Sequence, residues 1–171
     1  KTTLLKYLTV ICSEGRAESE LGLKHDHNNP LLAVFIPLRE FAAERAKRDR
    51  DYNLLDYLYT HAREHLLLHH PRGFFENALE TGRCLVCLDG LGEVWVVGER
   101  KTVTSAVKAL AVRFPQSRYV VASRIVGYDE APLDRREFAH EDEGRHGVED
   151  SGGGLVRLDL RALPRHPAED E

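Results

Sequence analysis

Three short apolar runs, separated by helical patterns, constrain the fold of this chain most strongly. The runs are "LLAVFIPL" at 31–38, "CLVCLDG" at 84–90 and "SRYVVASR" at 117–124. Each run is mostly apolar, as expected of a strand that is covered on both faces. Strands that alternate with helices favour a parallel sheet with right-handed crossovers and helices on both faces. The sequence therefore predicts a three-layer α/β fold.

Helical patterns lie before, between and after these runs. Apolar residues at helical spacing predict a first amphipathic helix over residues 2–13, and a polar loop is expected to follow it. Four further segments have a helical pattern: "REFAAERAKR", "LLDYLYTHAREHLLLHH", "RGFFENALETG" and "KTVTSAVKALAVRF". The second of these helices is expected to continue as far as Pro71, which would stop it.

Composition excludes several classes of protein. The chain has 171 residues, a length typical of one domain, and 42% of them are apolar. A formal net charge of −4 offers no electrostatic basis for binding nucleic acid. No apolar run reaches the roughly 18 residues of a membrane span. Three cysteines, an odd number, suit a reducing cytosolic setting better than a disulfide framework.

The C-terminal part differs in character from the rest. Residues 134–171 contain 6 Lys/Arg and 11 Asp/Glu and are rich in glycine. This tail is predicted to be disordered because it has little apolar surface to bury, although "LVRLDLRAL" alternates well enough for one strand or short helix. The domain is therefore expected to span residues 1–133. The abrupt change at "HEDEGRHG" also suggests that the tail is read out of frame.

The chain contains no methionine, and it opens with "KTTLLKYL", which already has a helical pattern. We therefore expect it to be a piece of a longer protein.

Polar side chains follow the second and third apolar runs, where parallel sheets bind their ligands. Asp89 ends one run, and Ser123 and Arg124 end the next. Asp89 could hold Mg²⁺ through water, Glu93 could polarise an attacking water, and Arg124 could neutralise a γ-phosphate. The alternative is structural: Asp89 would cap a turn, and Glu93 and Arg124 would be surface residues.

The opening residues suggest a phosphate site. Lys1 and Thr2 match the end of the phosphate-binding loop G-x-x-x-x-G-K-[ST], and Thr3 follows at the same helix start. In that loop the lysine reaches the phosphates and the hydroxyl binds Mg²⁺. The alternative is a solvated helix start.

Taken in order, "KTTLLKYL", "LLAVFIPLREFA", "CLVCLDGLGEV" and "RYVVASRIVGY" resemble the NACHT family of P-loop NTPases, which belongs to the STAND class of signalling ATPases. The most characteristic parts are "PLREF" and "LDGLGEV", and "SRIVGY" is similar to the sensor segment of the family. The resemblance covers residues 1–133.

This resemblance implies a P-loop NTPase-like parallel sheet and a switch driven by ATP or GTP with Mg²⁺. By position, Lys1 would contact phosphate with Thr2 and Thr3, and Thr2 would bind Mg²⁺. Asp89 would be the Walker B acid, Glu93 an acid of its extension, and Arg124 the sensor arginine beside Ser123. The partners implied are the nucleotide, an effector domain, a ligand-sensing region and further copies of the parent protein, with no membrane or nucleic acid.

Departures from the family pattern lead to further expectations. The first strand and the glycines of the phosphate loop do not occur in the sequence, Gly92 stands where the family commonly has Asp, and no winged-helix part is recognisable after residue 133. We therefore expect weakened or lost nucleotide binding and hydrolysis; the alternative is an inert remnant or interaction domain. The strand "RYVVAS" would present an unpaired edge, which predicts poor solubility.

Two other motifs carry residue types that can bind metal or react. "HAREH" at 61–65 fits the H-x-x-E-H arrangement of some zinc proteases, in which His61 and His65 would bind metal beside Glu64. A histidine-rich polar helix face is the preferred interpretation. Cys84 and Cys87 form C-x-x-C, but positions i and i+3 of a strand point to opposite faces, so we interpret them as buried structural cysteines.

Overall fold

The structure is a computed structural model that describes residues 2–23, 30–48, 51–94, 96–124, 139–142 and 156–160. Within these ranges the helices are α1 (Thr2–Ser13), α2 (Ala17–Leu21), α3 (Leu38–Ala46), α4 (Leu54–Glu64), α5 (Phe74–Glu80) and α6 (Val97–Arg113). The strands are β1 (Leu32–Pro37), β2 (Cys84–Asp89), β3 (Arg118–Arg124), β4 (Ala139–Asp142) and β5 (Val156–Leu160). A 3₁₀ turn, Leu91–Glu93, follows β2.

The sheet has the order β1-β2-β3-β5-β4. Strands β1, β2 and β3 are parallel, whereas β5 pairs antiparallel with β3 and with β4. In register, Pro37 of β1 lies opposite Asp89 of β2, and Asp89 lies opposite Ala122 of β3. The carboxyl ends of the three parallel strands therefore meet at one edge of the sheet, as the α/β prediction requires.

Helices cover both faces of the parallel strands, which confirms the three-layer α/β arrangement. Strand β2 shows why: Leu85 and Cys87 pack in the cluster beneath α1, whereas Val86 and Leu88 pack on the opposite side. The α1 side also contains Leu5, Cys12, Ala17, Leu31, Val120 and Ala122. The opposite side is the larger cluster, and its buried residues include Leu38, Phe41, Leu54, Leu58, Phe75, Leu79, Val107 and Phe114.

Most predicted elements are present, with two differences in the helices. The loop after α1 contains the short helix α2, which ends at Gly22 in the left-handed conformation. Helix α4 begins with a capping box formed by Asn53 and Asp56, but it ends at Glu64 rather than continuing toward Pro71. The three leucines that follow α4 are exposed, and Leu67 has a φ of 54°. The helix therefore ends where its apolar face no longer meets the core.

The expectation of an unpaired β3 edge is wrong, because residues 156–160 pair along residues 120–124 of β3. Because this edge of β3 is paired, it gives no reason to expect poor solubility. The tail, residues 134–171, is predicted to be disordered, yet it contributes the two strands β4 and β5. Of the two alternatives for "LVRLDLRAL", a strand or a short helix, the structure has the strand β5. The other tail residues lie outside the described part of the chain.

Candidate functional site

Strand β2 carries Asp89 to the edge of the sheet on the α1 side. Side chains alternate along a strand, and Leu85 and Cys87 face α1. Asp89 is two residues beyond Cys87 and therefore lies on the same side. It is partly exposed, because the strand ends here and the chain turns away at Gly90. The carboxylate thus stands beside the first turn of α1.

The first turn of α1 brings Thr2 to this carboxylate. The Thr2 hydroxyl donates a hydrogen bond to Oδ2 of Asp89, with 2.7 Å between Oγ1 and Oδ2. The two residues are 87 positions apart in sequence, so the contact exists only because α1 packs across the parallel strands. The predicted Mg²⁺ ligands are therefore neighbours. The first-turn amides of a helix also lack intrahelical acceptors, and such amides bind anions readily.

A tight turn follows Asp89 and positions Glu93. Gly90 has a φ of 79°, its amide donates to the carbonyl of Ala122, and its own carbonyl accepts from the Glu93 amide. A Cβ on Gly90 would lie only 3.2 Å from Oε2 of Glu93. The Glu93 carboxylate therefore folds back over Gly90, the residue that follows Asp89.

Buried side chains hold this turn against the core. Leu91 and Val94 are 1% and 2% exposed, and they lie on either side of Glu93. Arg100 of α6 is also buried and donates to the Val94 carbonyl from Nε at 3.1 Å and from Nη2 at 2.9 Å. No sequence motif pointed to Arg100. The only indication in the sequence is that Arg100 occupies a position of α6 that faces the core, on a helix face that is otherwise mostly apolar.

The other predicted site residues are not assembled in the same way. Thr3 is exposed in the first turn of α1. Ser123 is 1% exposed, and alternation from Val121 directs it to the side opposite Thr2. Arg124 ends β3, but its side chain is not among those described, and Lys1 lies outside the described residues. The nucleotide-binding roles of these four residues stay predictions.

The pair of oxygen ligands fits a magnesium ion chemically. Mg²⁺ prefers hard oxygen ligands and is commonly held by one or two carboxylates together with substrate phosphates. Thr2 and Asp89 supply a hydroxyl and a carboxylate at one point of the sheet edge. Within the described ranges, no group of three or more His, Cys, Asp or Glu side chains could hold a metal ion by itself. A metal at Asp89 would therefore need oxygens from its substrate or from water.

The histidine motif lies at the end of α4, and its rings contact one another and Tyr57 of the same helix. The rings of His61 and His65 are tilted relative to each other with centroids 4.8 Å apart, and His61 stacks on Tyr57. Burial, together with the neighbouring His65, lowers the pKa of His61 below its ordinary value of 6.5. The protein interior therefore favours the neutral ring.

The two cysteines of the C-x-x-C motif lie on opposite faces of the sheet. Cys84 belongs to the multi-helix side and Cys87 to the α1 side, as the alternation predicts. Burial raises the pKa of both thiols to about 12. Because the thiolate is the reactive form, neither cysteine is suited to act as a nucleophile near neutral pH.

In the described part of the chain, every helix is too short or too polar to span a bilayer. Comparison of the sequence and structure with protein-family models, curated proteins and solved structures finds no match.

Proposed function

We propose that this α/β domain is a nucleotide-binding switch module of the NACHT type, in which Thr2 and Asp89 hold the Mg²⁺ of ATP or GTP. The observation that supports it most is the 2.7 Å hydrogen bond between the two predicted metal ligands. The hypothesis made from sequence requires these two side chains to meet. A capping role for Asp89 or a solvated helix start at Thr2 does not.

The chemistry of the site fits this assignment. Bound Mg²⁺ would neutralise charge on the phosphates and orient them. Thr2 supplies a hydroxyl ligand and Asp89 a carboxylate, while the first turn of α1 offers amides to a phosphate. Glu93 folds back over Gly90, the residue that follows Asp89, and would orient the attacking water as a general base. Lys1, Thr3, Ser123 and Arg124 would complete the nucleotide site.

Hydrolysis in this module is proposed to be weak. Gly92 lies in the turn between Asp89 and Glu93 and has no side chain with which to orient water or metal. The second candidate function is an inert remnant or interaction domain that retains the fold without binding nucleotide, and the missing side chain at Gly92 is compatible with it. In the parent protein, the module would connect an effector domain to a sensing region, and nucleotide exchange would control assembly of several copies.

Nucleotide titration tests the proposal. Two proteins are compared: the 171-residue chain and the same chain preceded by a strand and a G-x-x-x-x-G loop that leads into Lys1. With fluorescent ATP and GTP analogues, we expect micromolar, Mg²⁺-dependent binding by the second protein and far weaker binding by the first. Asp89→Asn should abolish the Mg²⁺ dependence, whereas Asp51→Asn, in an exposed turn, should not. A folded loop-bearing protein that binds neither nucleotide would contradict the proposal.

A further inference from the structure

We propose that Arg100 is a positioning residue that fixes Glu93 at the sheet edge through the carbonyl of Val94. The inference rests on the proposed function for its catalytic meaning, since Glu93 is the proposed base. The positioning itself is a property of the fold and can be tested without nucleotide.

Arg100 carries a charge into the protein interior. It is 7% exposed, and a buried guanidinium is costly unless its N–H groups are hydrogen-bonded. Two of these groups, Nε and Nη2, donate to the Val94 carbonyl. These two hydrogen bonds to one carbonyl therefore offset part of the cost of burying the charge.

Val94, whose carbonyl accepts the hydrogen bonds from Arg100, comes directly after Glu93. Upstream of Glu93, the turn is attached to the sheet by the hydrogen bond from the Gly90 amide to the Ala122 carbonyl. Downstream, it is attached to α6 by Arg100. The segment that contains Glu93 is thus hydrogen-bonded on both sides, to β3 through Gly90 and to α6 through Arg100. The burial of Leu91 and Val94 and the turn bond from the Glu93 amide to Gly90 restrain the same segment.

Position within α6 explains why Arg100 can do this. Its backbone amide donates to the carbonyl of Val96, so it stands in the first turn of α6, immediately after the segment that it holds. The side chain runs back from this first turn to the preceding chain, as side chains of a helix do. The guanidinium therefore adds a side-chain link between α6 and the residue next to Glu93 to the link that the backbone already makes.

Amide hydrogen exchange of the 171-residue chain provides the test, read by NMR at the Glu93 amide. Three variants are compared: Arg100→Met, Arg100→Lys, and Arg113→Met as a matched control at the other end of α6. Loss of hydrogen bonds to a charged donor should accelerate Glu93 exchange by about tenfold or more in Arg100→Met. Arg100→Lys should restore part of the protection, because an ammonium can still donate to Val94, and Arg113→Met should leave it unchanged.

A purely structural role would give a different pattern. If Arg100 only stabilised the whole domain, exchange at Val86 and Val121 in the sheet would accelerate together with exchange at Glu93, and lysine would give no selective rescue. That result, or unchanged Glu93 exchange in a folded Arg100→Met protein, would overturn the inference. Selective acceleration at Glu93 supports it even when the nucleotide titration fails, so the failures of the two proposals are distinguishable.

Discussion

The hydroxyl of Thr2 donates to the carboxylate of Asp89, 87 positions away in sequence, and this contact links the start of the first helix to the end of strand β2. It depends on the packing of α1 against the face that carries Leu85 and Cys87. The contact places a hydroxyl and a carboxylate at the edge where the parallel strands end.

Gly90→Ala should destabilise the domain by about 1–2 kcal/mol, because an alanine at a φ of 79° is strained and its Cβ would press on the Glu93 carboxylate. The free energy of unfolding in urea measures this. The matched control is Gly98→Ala in α6, where a Cβ meets nothing within 4 Å and is expected to be neutral or stabilising by up to about 1 kcal/mol. Equal effects of the two substitutions would argue against a strained turn at Gly90.

Tyr119→Phe should lower stability by about 1 kcal/mol. The buried Tyr119 hydroxyl lies within hydrogen-bond distance of the carbonyls of Leu110 and Phe114, and so ties the end of α6 to β3. Tyr7→Phe removes an exposed hydroxyl that donates to Glu20, and its cost should be below about 0.5 kcal/mol. Thermal or urea unfolding of both variants checks the contrast. A Tyr7 variant at least as destabilised as the Tyr119 variant would be the opposite result.

His61→Gln should reduce the loss of stability on acidification. The pKa of His61 is lower in the folded protein than the ordinary 6.5, so the unfolded chain binds more protons between the two values. Stability that is present above pH 6.5 is therefore lost as the pH falls toward the folded pKa.

Urea unfolding from about pH 7.5 to about pH 5 measures this slope. Glu40 partly offsets the burial and the effect of His65, so the reduction is expected to be modest. His69→Gln, an exposed histidine beyond α4, should retain the pH dependence of the parent protein. An unchanged slope in His61→Gln would show that this ring does not control it.

Gly92→Asp should raise nucleotide hydrolysis in the chain that carries a phosphate-binding loop before Lys1. The substitution adds a carboxylate between Asp89 and Glu93, where it can orient water or metal. Gly98→Asp adds the same charge at an exposed position of α6 and serves as the control. If turnover does not change in Gly92→Asp, the interpretation of this turn as a weakened Walker B segment is wrong.

The sequence predicted the parts of the fold that depend on local patterns. The helix over residues 2–13 and the strand ending at Asp89 were predicted because periodicity and continuous apolar runs are local signals. The short helix α2 was missed, because five residues give too little periodicity. Helix α4 was predicted too long, since burial of the residues after Ala62 depends on the rest of the fold.

Contacts between distant segments could be predicted only in part. A common place for Thr2 and Asp89 was implied by the resemblance, which assigns both residues to Mg²⁺, whereas the parallel topology alone placed only Asp89 at the sheet edge. The pairing of β5 with β3 was not predicted, because the antiparallel register of residues 156–160 has no counterpart in the local sequence of β3. The placement of Arg100 beneath Val94 likewise depends on how α6 packs, which no motif encodes.

The most direct test of the proposed function is a double-mutant cycle on Thr2 and Asp89 in the loop-bearing chain. Thr2→Val, Asp89→Asn and the double variant are titrated with a fluorescent ATP analogue, with Mg²⁺ and with EDTA; Ser13→Ala on the same helix is the hydroxyl control. If the two residues hold one metal ion, each single variant should lose about tenfold or more of the Mg²⁺-dependent affinity, and the double variant little beyond that. Full Mg²⁺-dependent binding by Asp89→Asn, or strictly additive losses, would contradict a shared magnesium site at Thr2 and Asp89.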